Sequence, residues 1–354
     1  MSPYAVFAFT SFIFLVAGCA TKSALGPREF VRLSPNSTKI LFGSCNDQKL
    51  DQRFWKSLTN ERADLMILMG DNVYGQGNDQ ESLRKAYQSL GLNKHFQHFR
   101  ESTPIVATWD DHDFGRSDGG EDFPEKEDSK IQFLNFWQEP KNSKRRAREG
   151  IYDSFVVGPA GSALQVILLD TRYFRSPLKR AAARKAGRGP YVPNFDRQAS
   201  LLGAEQWTWL EEQLKVPADV RLIVSSIQVL SSEHGFESWG NFPLERRKLV
   251  SLLDRYPTKA TIFLSGDRHH ASLWERKRAS RPTLQEITSS PLNATMPPEF
   301  QIAHSEPFQD GKQIFSANYG VLSIDWQKRF LIAQIRLADG SLTRQKRIDF
   351  DIRY

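Results

Sequence analysis

The sequence predicts an α/β fold in which two sheets pack against each other and helices cover the outside. Three observations lead there. The strand-like segments are near-continuous apolar runs, not alternating ones, as strands covered on both faces require. The first part of the chain alternates such runs with helical segments, whereas the C-terminal third holds mainly short β runs. Several of the runs end in glycine and then in clusters of acids, histidine or cysteine. The composition agrees: 354 residues, 40% hydrophobic, 12% aromatic and 25% charged, describe an ordinary globular chain. That excludes collagen-like, disordered and multi-span membrane classes, and the length is enough to bury a substantial core without disulfides.

Taken in order, Lys39–Cys45 (KILFGSC) is a buried strand, Gln52–Ala63 a helix, and Asp64–Asp71 (DLMILMGD) a second buried strand. Gln80–Leu90 and Asn93–Arg100 have helical spacing, and Pro104–Asp110 (PIVATWD) is a third strand. A helix follows at Asp128–Gln138, then strands at Ile151–Val157 and Leu164–Asp170. Arg172–Arg197, rich in Gly, Pro and Arg, is expected to be a long loop. Ala204–Leu214 is a helix and Arg221–Val229 a strand. Pro243 suits the first position of a helix running to Tyr256. Thr261–Gly266 is a strand, with Ala271–Arg278 expected as its hairpin partner. Short β runs at Leu284–Thr288, Tyr319–Trp326, Arg329–Leu337 and Leu342–Phe350 complete the chain.

The N-terminus reads as an address and not as fold. No charge precedes Lys22, and Ala5–Ala20 is nearly all apolar or small, a length suited to a signal-peptide apolar region. It ends Leu15-Val16-Ala17-Gly18-Cys19, which resembles the lipobox of bacterial lipoproteins; a simple secretory signal or short anchor helix is the alternative. The expected division is a signal peptide at 1–18, a linker at 19–38 and one domain at 39–354. The resemblance implies acylation of Cys19 and attachment to the cell envelope facing the periplasm, with Ala20 after the cysteine suiting the outer membrane. Cys45 then stands alone, as a buried structural residue, a reactive thiol or a metal ligand.

The net charge of +7 is local. Lys141–Glu149 (KNSKRRARE) holds five basic residues against one acid, and Lys179–Arg188 (KRAAARKAGR) holds five with no acid. Neither run interleaves aromatics for base stacking, so no specific nucleic-acid partner is expected. Solvated loops are the plainer account, and such loops can also draw an anionic surface or substrate toward the protein.

Four strands end in chemistry: Gly43-Ser44-Cys45, Gly70-Asp71-Asn72-Val73-Tyr74, Trp109-Asp110-Asp111-His112-Asp113 and Gly266-Asp267-Arg268-His269-His270. Carboxyl ends of sheet strands are where open α/β folds collect ligands. Asp110–Asp128 carries nine carboxylates against only Arg116 and Lys126, and acids so crowded repel one another unless cations sit among them. No P-loop, Gly-x-Ser-x-Gly elbow or His-Glu-x-x-His helix is present.

These four clusters, in this order, resemble the alkaline phosphatase D (PhoD-type) branch of the calcineurin-like metallophosphatases. The resemblance runs from about Ile40 to His270, with Leu169-Asp170-Thr171-Arg172-Tyr173-Phe174-Arg175 matching another family segment. It implies a four-layer α/β/β/α sandwich and a phosphodiesterase or alkaline phosphomonoesterase acting on a phosphate ester. It implies that Cys45, Asp71, Tyr74 and His269 hold a ferric iron. Asp71 then bridges to a second site with Asp111 and Asp267, taking a divalent ion, calcium by resemblance, with magnesium or manganese also suited to hard oxygen donors. By the same resemblance a hydroxide bridging the metals would attack phosphorus in line, and His112 would serve the leaving group as a non-ligand catalytic residue. Arg172 is expected to clamp phosphate, with a salt bridge to Asp170 or another carboxylate as its other role. A monomer is expected, although the sequence itself leaves the oligomeric state open. The reading from another class is a non-catalytic envelope lipoprotein, stapled by its metals and binding anionic surface partners.

Overall fold

The structure, a computed structural model, describes residues 36–75, 79–279, 281–301, 303 and 305–350. The segment 1–18 expected to be a signal peptide, Cys19 and His304 lie outside the described residues. The chain begins β1 (Ser37–Gly43), α1 (Phe54–Asn60), β2 (Leu65–Met69), α2 (Gln80–Leu92), α3 (Lys94–Ser102) and β3 (Ile105–Thr108). Next come α4 (Asp111–Phe114), α5 (Lys126–Phe136), α6 (Lys144–Ala147), β4 (Asp153–Val157), β5 (Leu164–Leu168), α7 (Gly203–Leu214), β6 (Val220–Ser225) and α8 (Pro243–Arg255). It closes with β7 (Ala260–Ser265), β8 (Ala271–Arg278), β9 (Arg281–Thr288), β10 (Gln309–Ile314), β11 (Asn318–Asp325), β12 (Phe330–Leu337) and β13 (Leu342–Asp349).

Two mixed sheets form, ordered β13-β12-β11-β1-β2-β3 and β10-β8-β9-β7-β6-β5-β4. The side-chain period of two sorts each apolar run onto two faces. From β1 and β2, Ile40, Phe42, Leu65, Ile67 and Met69 point between the sheets, where they meet Leu164, Val166, Leu222, Val224, Ile262 and Leu264. The intervening Leu41, Met66 and Leu68 face outward onto α1, α2, α3 and α5 through Trp55, Leu58, Leu83, Leu90, Phe96, Phe99 and Phe133. On the far side, Ile167, Ile223 and Phe263 pack under α7 and α8 against Trp207, Leu210, Leu249 and Leu253. Runs that need cover on both faces therefore build four layers, helix–sheet–sheet–helix.

Local chemistry fixes the helix ends. The Asp79 side chain accepts the Ser82 N–H at 2.8 Å to cap α2, the Asn93 side chain accepts two N–H groups of α3, and Pro243 starts α8. On α3, Phe96 and Phe99 are buried while His98 is exposed and His95 half-buried, so the surface placement expected of these histidines holds.

Several expectations are corrected. β8 is not the hairpin partner of β7: it pairs antiparallel with β9, and β9 lies between them, parallel to β7. The Gly266–His270 segment, with Asp267 and His269 at positive φ, therefore carries the chain past one strand position, which β9 fills. The linker ends earlier than residue 38, since β1 starts at Ser37 and Thr38 is buried, its hydroxyl accepting the Trp326 indole N–H at 2.8 Å. The Lys141–Glu149 run is not a solvated loop. Lys144–Ala147 within it form α6, and Arg145 is buried, its guanidinium reaching Glu139 (3.1 Å) and the carbonyls of Ile151 (2.7 Å) and Ala107 (3.1 Å), while Lys141, Lys144 and Glu149 stay exposed. By contrast, Lys179, Arg180, Arg184 and Lys185 are exposed. Among the described residues no helix is long and apolar enough to cross a membrane.

Candidate metal centre

The parallel strands β1, β2 and β3 lie side by side, so the segments leaving their carboxyl ends emerge at one rim. The segments after β7 and β9 in the other sheet reach the same rim: Leu292 N–H donates to Ser44 O at 2.8 Å, and the Ser290 hydroxyl to Cys45 Sγ at 3.1 Å. Cys45, Asp71, Asp267 and His269 all have positive φ, 57°, 50°, 64° and 49°. Non-glycine residues rarely adopt that region, and where several do so together the site is commonly functional. Gly70, at φ 106°, is needed as glycine: a Cβ there would stand 2.8 Å from the Asp110 backbone nitrogen.

Ligand atoms of Cys45, Asp71 and His269 lie within 4.8 Å of one another, as do those of Asp71, Asp111 and His112. Asp71 belongs to both groups. The Tyr74 hydroxyl donates to Asp71 Oδ2 at 3.1 Å, and Cys45 Sγ stands 3.5 Å from the same oxygen. The His269 Nδ1 contacts the Ala294 carbonyl, and the His269 N–H donates to Ser290 Oγ at 3.0 Å. The second group brings in the His112 ring where the sequence expectation had Asp267. Asp267 is nevertheless close enough for its charge to bear on Asp71 and Asp110, and for the charge of Asp111 to bear on it.

The electrostatics describe a site short of cations. Burial, reinforced by Asp111, Asp113 and Asp267, pushes the Asp71 carboxyl well above its ordinary range. Burial, only partly offset by Arg268, pushes Asp267 up to about 7. Burial and then Asp71 raise the Cys45 thiol and the Tyr74 phenol. Asp111 is the exception: burial opposes its ionisation, yet His112 and Arg172 hold it below the usual carboxylate range. Burial lowers His269, keeping its imidazole neutral as a ligand must be. Asp267 Oδ2 is buried with no hydrogen-bond partner among the described residues. Thiol, phenol and carboxylate donors that cannot all ionise without added positive charge, beside a neutral imidazole, fit bound metal ions, which deprotonate such donors.

Around these residues stands a supporting shell that the sequence did not assign. Asp113, fully buried, accepts the N–H groups of Asp110 (2.6 Å), Asp71 (3.2 Å) and Asn72 (3.2 Å) together with the Asn72 side chain. It thereby ties the β2 and β3 ends into one unit; its place within the crowd of nine acids was the available signal. Asp111 accepts the Asp118 N–H at 2.8 Å. His112 donates its backbone N–H to Asp71 Oδ1 at 3.2 Å, and its half-buried ring lies against Tyr74 at 4.2 Å. Gln228 donates to Thr288 Oγ1 at 2.8 Å while its Oε1 is buried without a partner among the described residues. His234 Nδ1 accepts the Phe236 N–H at 3.0 Å, a loop-forming role.

The expected phosphate clamp is a correction. Arg172 is fully buried, its guanidinium bound to Asp110 (Nε–Oδ1, 2.6 Å) and Glu237 (Nη1–Oε2, 2.5 Å), with Arg175 completing the group through Glu237 at 2.9 Å. Arg172 thus takes the other role expected of it, a salt bridge to carboxylates, and joins the loops of the two sheets. Asp170 is also structural, accepting the Trp109 indole N–H at 2.8 Å and the N–H groups of Ile151, Arg172 and Tyr173.

Comparison with known proteins adds the family. Residues 40–332 match the family model of PhoD-like phosphatases. The chain is 21% identical over 282 residues to alkaline phosphatase D of Bacillus subtilis (strain 168), covering 66% of this chain and 46% of that one. It thus spans about half the length of that curated relative. A solved structure of PhoD superposes with a TM-score of 0.70 at 16% identity, covering 91% of this chain and 71% of the other. GAP50, the anchor in the inner membrane complex of Plasmodium, superposes at 0.53 with 11% identity and 90% coverage of each. At these identities the superpositions show a shared fold, and the family match rests on the sequence between residues 40 and 332: the chain belongs to the PhoD-like phosphatases.

Proposed function

We propose that the protein is a metal-dependent phosphoric ester hydrolase, acting as a phosphodiesterase, an alkaline phosphomonoesterase or both. The observation that carries this is the convergence of two donor groups on the shared Asp71, with the half-exposed His112 beside it. Cys45, Asp71, Tyr74 and His269 would hold one metal, for which ferric iron suits the thiolate and phenolate donors. Asp71, Asp111 and Asp267 would hold a divalent ion such as calcium, since hard oxygen donors favour it over zinc. Metals bound there supply an activated water and neutralise the phosphoryl oxygens. His112, steadied against Tyr74 and through its N–H on Asp71, donates the proton that the departing alkoxide needs. Attachment to the envelope through a lipid on Cys19, exposure to the periplasm and action as a monomer belong to the same proposal.

The test is metal content with a visible spectrum on protein purified without chelator, together with hydrolysis of mono- and diesters. About one iron per chain, with a charge-transfer band that shifts in Tyr74→Phe, supports the iron site. His112→Ala should keep its metals and lose turnover by about 10²–10⁴-fold. Loss of a metal in that variant would make His112 a ligand. Protein that binds no metal after reconstitution and hydrolyses no ester would overturn the proposal in favour of a non-catalytic envelope protein.

A further inference from the structure

With Arg172 and Arg175 bound to Asp110 and Glu237, a third arginine at the centre makes no side-chain hydrogen bond among the described residues and only a long ion pair. Arg268 sits between Asp267 and His269 in the segment after β7. Its guanidinium carbon lies 4.3 Å from the centre of the Phe236 ring. The carboxylate nearest to it, Asp267, is 3.9 Å from Nη1, beyond hydrogen-bonding distance, and Nε is buried with no partner among the described residues. The side chain retains 13% exposure, against 0% for Arg172 and 1% for Arg175. One arginine thus keeps donors without a hydrogen-bond partner and part of its side chain exposed.

We propose that Arg268, stacked on Phe236, is the residue that grips the phosphoryl oxygens of the ester. This rests on the hydrolase reading above. A guanidinium whose face lies on an aromatic ring keeps its edge N–H groups in plane and free to meet two phosphate oxygens at once. The ring also fixes the fork, so less side-chain entropy is lost when phosphate arrives.

The platform is itself held from behind. Glu237, next in the chain, is locked by Arg172 and Arg175, and Phe236 donates its N–H to His234 Nδ1 at 3.0 Å. The arm leaving the long loop clamps the turn: Gly189 N–H donates to His234 O and Tyr191 N–H to Gly235 O, each at 2.8 Å. The strands of this clamp touch so closely that a Cβ on Gly189 would stand 2.2 Å from Gly235 O. Arg172 therefore serves phosphate at one remove, by fixing Glu237 and hence the ring under Arg268.

The experiment compares full-length, metal-loaded wild type with Arg268→Gln, Arg268→Lys and Phe236→Leu. It reads metal content by elemental analysis, inorganic phosphate affinity by calorimetry, and KM and kcat on an aryl phosphodiester. Arg268→Gln should keep its metals and bind phosphate about tenfold or more weakly, as expected for loss of charge-assisted hydrogen bonds, with a raised KM. Arg268→Lys should recover part of that affinity, because charge returns without the fork, and Phe236→Leu should weaken phosphate binding in the same direction. Unchanged phosphate affinity in Arg268→Gln overturns the inference, and so does weakened affinity accompanied by metal loss. Wild type that binds phosphate through Arg268 yet hydrolyses no ester would leave this inference standing while the hydrolase reading fell.

Discussion

Asp113→Asn isolates the part played by the shell beneath the metal donors. Asp113 is fully buried, and each of its oxygens accepts two donors: Asp110 N and Asp71 N on Oδ1, Asn72 N and Asn72 Nδ2 on Oδ2. Asparagine keeps the shape but turns one oxygen into a donor, so two of those contacts become N–H against N–H. A buried polar group left facing the wrong partner costs about 1–3 kcal/mol. Allowing for relaxation, we expect a loss of about 2–4 kcal/mol, since the two contacts share one group and are not additive. At about 2 °C per kcal/mol, the value for large domains, the metal-free protein should melt roughly 4–8 °C lower. Because Asp113 also positions Asp71, metal affinity should fall by about 10–100-fold. The assay is thermal melting of the chelated protein, with metal titration monitored separately. Asp122→Asn, which disturbs only an exposed pair with Arg116, is the control and should shift melting by about 1 °C or less. If Asp113→Asn melts with the control and binds metal like wild type, the role assigned to Asp113 is wrong.

Two further outcomes follow from other contacts. Arg172, Arg175, Asp110 and Glu237 form a buried group with balanced charge; Glu237→Gln leaves it one positive charge in excess, at a cost of about 3–5 kcal/mol. Melting should drop several-fold further than in Glu211→Gln, which breaks an exposed pair with Arg255, and equal shifts would contradict this. Asp219 accepts the Ala163 N–H at 2.9 Å and pairs with Lys259 at 2.6 Å. Burial opposes its ionisation, but Lys259 and Ala163 outweigh that and lower its pKa. A depressed folded-state pKa gives stability that is present above the unfolded value of about 3.9 and lost as pH falls through the folded one. The melting gap between wild type and Asp219→Asn should therefore be widest near neutrality and narrow toward pH 3; a gap constant with pH would remove the ionic contribution.

The sequence made the strand ends legible because the chemistry there is local. Cys45, Asp71, Asp111, His112, Asp267 and His269 each follow an apolar run within a few residues, and glycine marks several of the exits. The strands themselves were legible for the same reason, most ends displaced by a residue or two, with β6 ending four residues before the expected Val229 and β9 starting three before Leu284. Partner choice was not. That β9 would insert between β7 and β8 depends on pairing across the sheet, which no window of sequence records. The contrast between Arg172 and Arg268 is of the same kind: both flank motif aspartates, and only the fold brings Glu237 to one and the Phe236 ring to the other. Arg145 looked like part of a solvated basic run because its carbonyl acceptors, Ile151 and Ala107, come from separate segments. β10 (QDGKQI) went unread since an exposed edge strand has little apolar pattern to show.

The antiparallel ladder between β1 and β11 joins Leu41 to Val321, residues from opposite ends of the chain. During synthesis β1 can pair with β2 early, but its other edge waits until nearly the whole polypeptide has been made. For that interval a strand of apolar residues has a free edge, a template for pairing with another copy. Contacts so distant in sequence also close slowly, because the entropy of the intervening chain must be overcome before they reward it. Both sheets contribute to the rim, so Cys45 cannot meet Ser290 and His269 until the last third of the molecule has docked. The candidate centre is thus assembled late, from strand ends the chain supplies at Cys45 and completes only at His269 and Ser290.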